Sequence, residues 1–133
     1  MNPRFLLDTH IVIRWLTEAR KLSREQRLVI ENAERRGECV GLSAFSLIEI
    51  VMLAEGRKRI GAGLYELFDE LDANPTFQIM PLTTDVAREM AAIGDALRDP
   101  ADRAIVATAR VHRIQLLTAD QRIIDSGLVP VIE

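Results

Sequence analysis

The sequence predicts a three-layer α/β/α sandwich built on a central parallel sheet. Two observations carry this. Strand-like and helix-like segments alternate along the chain, and the strand-like segments are continuously apolar, as strands buried on both faces are. No repeat, low-complexity tract or linker interrupts the pattern, so residues 1–133 read as a single domain.

Each element has its own local reason. Arg4-Phe5-Leu6-Leu7-Asp8 is a short apolar run closed by a polar residue, a buried strand with Asp8 at its carboxyl end. Ile11 to Leu16 continues as an apolar helical turn carrying Trp15. Ser23 and Gln26 have capping-box spacing and open a charged amphipathic helix that runs to about Arg36, before Gly37. Glu38 to Leu42 is a second strand, and Ser43 caps a helix from Ala44 to Glu55 that ends at Gly56.

Ile60, Leu64, Leu67, Phe68 and Leu71 form the apolar stripe of another helix, broken by Asn74-Pro75. Phe77 to Leu82 is the third strand, and Thr83-Thr84-Asp85 caps a helix from Val86 to about Leu97. Pro100 suits the first position of the next helix and Asp99 its cap, with the helix ending near His112-Arg113. Ile114 to Thr118 is the fourth strand, Asp120 follows in a turn, and Val129-Pro130-Val131-Ile132 is a last strand, placed at an edge because proline is tolerated there.

The composition is that of a soluble globular protein, 48% hydrophobic and 28% charged. No apolar run approaches the ~20 residues that span a bilayer, and Met1-Asn2-Pro3-Arg4 lacks a signal-peptide profile, so a cytoplasmic location is expected. The single Cys39 cannot form an internal disulfide, and with only His10 and His112 besides, no Cys/His zinc set exists. Any metal must be held by oxygen.

A net charge of −3 argues weakly against a nucleic-acid partner, because acids gathered around a metal would leave the remaining surface slightly positive. The basic residues cluster at Arg35-Arg36, Arg57-Lys58-Arg59, Arg98 with Arg103, and Arg110 with Arg113, each of which by itself reads as a solvated face.

Ligands of parallel sheets bind beyond the carboxyl ends of the strands. Asp8 ends the first strand, Glu49 lies in the second turn of the helix after the second, Asp102 lies in a first helical turn, and Asp120 follows the fourth strand. All four belong to one edge. Asp8, Asp102 and Asp120 each have a plain alternative as cap, turn or helix-dipole residues. Glu49 is different, because Leu47-Ile48-Glu49-Ile50-Val51-Met52-Leu53 offers it no local cation, and a carboxylate in apolar surroundings needs a partner or shifts its pKa. Four clustered carboxylates are best reconciled by Mg²⁺ or Mn²⁺, and phosphodiester hydrolysis is the chemistry such ions commonly serve.

Four motifs resemble the PIN-domain ribonucleases, and within them the VapC-type toxins of toxin–antitoxin pairs. They are Leu6-Leu7-Asp8-Thr9-His10, Leu42-Ser43-Ala44-Phe45-Ser46-Leu47-Ile48-Glu49-Ile50, Asp99-Pro100-Ala101-Asp102-Arg103-Ala104-Ile105-Val106-Ala107-Thr108-Ala109 and Leu116-Leu117-Thr118-Ala119-Asp120. The resemblance spans essentially the whole chain. It implies a Mg²⁺- or Mn²⁺-dependent endoribonuclease that inhibits translation by cutting structured RNA such as tRNA or ribosomal RNA. It also implies a homodimer and silencing by a small VapB-type antitoxin in a hetero-oligomer.

Carried over by motif, Asp8, Glu49, Asp102 and Asp120 are the catalytic and metal-binding acids, with Thr9, Ser43 and Thr118 as supporting hydroxyls and Asp99 as an outer acid. Trp15 and the stripe from Ile60 to Leu71 are candidates for partner contacts, with core packing the favoured role for both. His10 is expected on another side of the chain turn from Asp8, with no general-base duty, and His112 suits a helix C-terminus.

Rival readings make distinct demands. A phosphotransfer enzyme of the haloacid dehalogenase type needs a second Asp at position 10, which is His. A response-regulator receiver needs an acid pair after the first strand, an Asp after the third and a Lys after the last. A non-catalytic PIN-like binding module remains the alternative outside enzymes, and the intact set of four acids weighs against it.

Overall fold

The computed structural model describes residues 2–56 and 63–133. Strand β1 (Phe5–Leu7) is followed by α1 (Thr9–Thr17), α2 (Arg24–Arg36), β2 (Val40–Ser43), α3 (Ala44–Glu55), α4 (Leu64–Ala73), β3 (Phe77–Met80), α5 (Thr84–Ile93), α6 (Pro100–His112), β4 (Gln115–Leu117), α7 (Gln121–Ser126) and β5 (Val131–Ile132). The sheet order is β3-β2-β1-β4-β5 and every pairing is parallel. The sandwich architecture read from the sequence is therefore the observed one.

Alternation along the strands divides the core in two. Leu7, Val40, Leu42, Phe77 and Leu117 face one layer, where they meet Ile11, Val12, Ile30, Ile50, Leu67 and Leu71 of α1 to α4. Leu6, Met80 and Leu116 face the other, against Val86 and Ile93 of α5, Ile105, Val106 and Ala109 of α6, and Ile123 of α7. At the paired positions Leu6 and Gly41 there is no room for another side chain. A Cβ on Gly41 would stand 3.1 Å from Met80 Cγ and 3.2 Å from Leu6 Cδ1.

The caps explain the helix starts. Ser23 and Gln26 form a capping box, Ser43 accepts from Phe45 N, and Asp99 accepts from Asp102 N with Pro100 behind it. Trp15, Leu64 and Phe68 pack against the first core, so Trp15 and the described part of that stripe serve packing. Ile60 and the cluster Arg57-Lys58-Arg59 lie outside the described residues.

Several boundaries differ from the sequence expectation, most by one or two residues as at the starts of α1 and β2, and four differences have a local reason. Strand β3 stops at Met80, paired with Ser43 at the end of β2, and Pro81 has no N–H with which to continue the ladder. Helix α5 ends at Ile93 because Gly94 adopts φ 52, and a 3₁₀ turn, Gly94–Ala96, takes its place. Strand β5 is two residues long, with the Pro130 carbonyl still accepting from Leu116 N at 2.9 Å. The segment after Asp120 is a helix rather than a plain turn, capped by Asp120 and stopped by Gly127 at φ 65.

Helix termini also account for much of the basic clustering. Arg35 and Arg36 occupy the last turn of α2, and Arg110 that of α6, where the dipole favours cations. Arg110 is held there by Glu89 at 2.5 Å and the Leu128 carbonyl at 2.6 Å, and the Arg103 guanidinium donates to the Met90 carbonyl at 2.7 Å. These contacts fasten α6 to its surroundings. Among the described residues, no helix is long and apolar enough to cross a membrane.

Candidate active site

Strand β1 is the switch point of the sheet, since the chain proceeds from it to β2 on one side and returns to β4 on the other. Side chains after β1 and β4 therefore meet at one crevice. Asp8, buried at the start of α1, is fixed from three directions. Its Oδ1 accepts from Thr9 N at 2.8 Å, its Oδ2 accepts from the Thr118 hydroxyl at 2.6 Å, and His10 Nδ1 stands 3.4 Å from that same oxygen.

The Thr118 hydroxyl also accepts from Asp120 N at 3.0 Å, so one buried side chain sets both Asp8 and the turn that carries Asp120. From behind, the buried Gln26 amide donates to the Thr118 and Ile132 carbonyls at 3.2 and 3.1 Å. The capping box of α2 thereby braces the carboxyl ends of β4 and β5.

Glu49 reaches the site from α3, half-buried and free of the solvated surroundings an exposed helix would give it. Burial raises its pKa, hydrogen bonding from Thr9 opposes the rise, and the charges of Asp8, Asp99 and Asp120 add to it. Thr9 and Ser46, both buried, share a hydrogen bond of 2.8 Å that packs α1 against α3 beside Glu49.

Asp102, in the first turn of α6, is 7% exposed, and its pKa is pushed up to about 7. Burial is the main cause, followed by the negative charges of Asp99, Asp120 and Asp8, against which Arg122 acts. For Asp120, burial acts upward, but the hydrogen bonds and charge of Arg122 outweigh it and hold the carboxyl below its ordinary range.

The structure thus brings Asp8, Glu49, Asp99, Asp102 and Asp120 within electrostatic reach of one another. Thr9 and Thr118 stand among them as supporting hydroxyls. Ser43 differs in what it touches: its hydroxyl is the α3 cap on Phe45 N at 3.1 Å and, among the described residues, makes no hydrogen bond to the acids.

His10 corrects the expectation that it faces elsewhere. In the first turn of α1 its ring folds back over Asp8, and Nε2 accepts from Ala119 N at 3.0 Å. That bond places the ring proton on Nδ1, toward Asp8. Burial lowers the His10 pKa, with Asp8 opposing. With one nitrogen taken by a backbone donor and the other facing a carboxylate, the ring positions its neighbours and has no free lone pair for proton abstraction.

His10, Ser46, Gln26 and Arg122 escaped the sequence reading of the site. For Ser46 the spacing from Glu49 was available as a signal, since positions three apart share a helix face.

A family model of the PIN domain matches residues 5–126. This chain belongs to the PIN-domain family. Ribonuclease VapC22 of Mycobacterium tuberculosis is 32% identical to this PIN domain over 119 residues, covering 89% of the chain and 88% of the relative. Solved structures share the fold, and two serve as examples. One is a toxin–antitoxin complex from Klebsiella pneumoniae, with TM-score 0.64 and 22% identity over 96% of this chain and 95% of that one. The other is VapBC2 of Rickettsia felis bound to a promoter DNA fragment, with TM-score 0.69 and 12% identity over 96% of each chain.

The oxygen-only donor set of this PIN domain fits a hard divalent cation in kind. Among the described residues, no three His, Cys, Asp or Glu side chains are arranged as ligands of one ion as they stand. Arg122 is the cation now among them. Its guanidinium lies 3.2 Å from Asp102 Oδ2 and 3.0 Å from Asp120 Oδ2.

Proposed function

We propose that this PIN domain is a Mg²⁺- or Mn²⁺-dependent endoribonuclease and the toxin of a toxin–antitoxin pair, acting on structured RNA such as tRNA or ribosomal RNA and so inhibiting translation. The observation that carries the reading is the convergence of the buried Asp8 and Asp102 with Glu49 and Asp120 at one sheet edge, near enough for their charges to act on one another. Acids held together in this way are relieved by a divalent cation. The likeness to a ribonuclease over most of both chains supplies the reaction class.

In this reading Asp8, Glu49, Asp102 and Asp120 hold the metal, directly or through its waters, and Asp99 caps α6 while adding negative potential. The bound ion would activate water and stabilise charge on the scissile phosphate. The protein's own work is orientation. Thr9 N–H, the Thr118 hydroxyl and His10 leave Asp8 little freedom, and the α6 cap aims Asp102 into the crevice. Thr9 and Ser46 restrain the α3 turn that carries Glu49.

The antitoxin belongs on the apolar face that α3 and α4 leave open, where Ile48, Met52 and Tyr65 are exposed beside a groove lined by Leu47, Val51, Phe68 and Ile79. Both solved relatives above are toxin–antitoxin assemblies, which supports an antitoxin partner; in this reading that antitoxin is of the VapB type, and the toxin is a homodimer that joins it in a hetero-oligomer. A cytoplasmic site of action follows from an RNA target.

Expression of this chain without antitoxin, followed by mapping of RNA 5′ ends, tests the function. New ends in tRNA or ribosomal RNA that vanish with Asp8→Asn support it. Growth arrest with intact RNA contradicts it, and points to the non-catalytic binding module.

A further inference from the structure

Arg122 is the residue that neither the motif set nor the proposed chemistry uses. It sits in the short helix α7, directly after the fourth motif, with its side chain 69% exposed. An exposed arginine ordinarily extends into water. This one turns back across the mouth of the crevice.

Its contacts engage both carboxylate oxygens of Asp120. Asp120 Oδ1 accepts from the Arg122 backbone N–H at 2.9 Å and from Nε at 3.3 Å, while Oδ2 accepts from a terminal guanidinium nitrogen at 3.0 Å. That same nitrogen stands 3.2 Å from Asp102 Oδ2. The fork therefore bridges acids contributed by two different elements, the N-terminus of α6 and the turn after β4.

We infer that Arg122 is a built-in counter-ion, a placeholder that occupies the cation position of this site and must withdraw from Asp102 and Asp120 before a divalent ion can bind them. This inference rests on the metal reading above. A guanidinium and a divalent cation repel each other and compete for the same lone pairs, so they cannot share Asp120 as it is now engaged. Withdrawal is feasible because 69% of the arginine side chain is in solvent, so the guanidinium regains water as it leaves the more deeply set carboxylates of Asp102 and Asp120.

The placeholder lowers repulsion among the acids in the metal-free protein and weakens its affinity for metal. The two effects have one origin. Removing the guanidinium sharpens the site for metal and leaves the acids uncompensated without it.

The test is Mn²⁺ titration of the intact protein by calorimetry at low ionic strength, without RNA, paired with thermal melts. Arg122→Met and Arg122→Gln are expected to bind Mn²⁺ about three- to tenfold more tightly than the unaltered protein, the scale of releasing two ion pairs whose cation is exposed. They should also show a larger rise in Tm on Mn²⁺ addition. Arg122→Lys, which keeps the charge without the fork, should fall between. Equal or weaker affinity in both neutral variants, with folded circular-dichroism spectra, overturns the placeholder. Absence of Mn²⁺ binding by the unaltered protein and by both neutral variants overturns the metal reading on which it rests.

Discussion

The Thr118 hydroxyl donates to Asp8 Oδ2 at 2.6 Å, joining the carboxyl ends of two adjacent parallel strands through a pair of residues 110 apart in the chain. It also receives the Asp120 N–H, so a single buried oxygen fixes the positions of two of the four acids.

Replacing Thr118 by Val keeps the shape and removes this linkage. Asp8 loses a charge-assisted bond and Asp120 N–H loses its acceptor, which should cost about 1–3 kcal/mol in stability, as loss of a buried partner does. RNA cleavage should fall by at least about tenfold, the scale typical of removing a partner that orients a metal ligand. Urea unfolding and single-turnover cleavage check the two parts separately.

The third motif contains two acids with different work. Asp99 caps α6, and Asn caps about as well as Asp, so Asp99→Asn should leave the fold intact and turnover reduced only modestly. Asp102→Asn removes a carboxylate that points into the crevice and should abolish cleavage. Rates of the two variants on one RNA substrate decide it, and the reverse order would show the assignment to be inverted.

Protonation of Asp102 ties stability to pH. Its folded pKa, about 7, lies above the ordinary 3.8, so between these values the native state holds a proton that the unfolded chain has lost. Stability from this group therefore falls as pH rises toward and through 7, and the full penalty is present above it. His10, lowered by burial, acts in the opposite sense, because below its ordinary 6.5 the unfolded chain binds the proton more readily. Above pH 6.5 the Asp102 effect dominates the pair. Metal-free melts from pH 6.5 to 8 should show Tm falling, with the slope reduced in Asp102→Asn and in saturating Mg²⁺.

Much of this arrangement is legible in the sequence because it depends on local rules. Ser23 with Gln26, Ser43, and Asp99 with Pro100 announce three helices by capping chemistry alone. Continuous apolarity identifies the buried strands, and the edge rule then collects Asp8, Glu49, Asp102 and Asp120. What escapes depends on adjacency between distant segments.

His10 turns toward Asp8 because β4 lies beside β1 and presents Ala119 N–H to its ring. Gln26 acts on the site only because β4 and β5 end beneath α2. Helix α7 has six residues, too few for an apolar period to emerge, and without that helix nothing aims Arg122 at Asp102. Ser43 shows the converse, a motif position whose hydroxyl has a local capping role on Phe45 N.

The central claim is that the carboxylates at this sheet edge cut RNA by holding a divalent cation. Its most direct measurement is cleavage of structured RNA by the purified chain, freed of antitoxin, in Mg²⁺ or Mn²⁺ and again in excess chelator, alongside folded Asp8→Asn and Glu49→Gln variants. Cleavage that requires the metal and disappears in both variants is the predicted result. Cleavage that continues in chelator, or that survives loss of either carboxylate, would contradict the account.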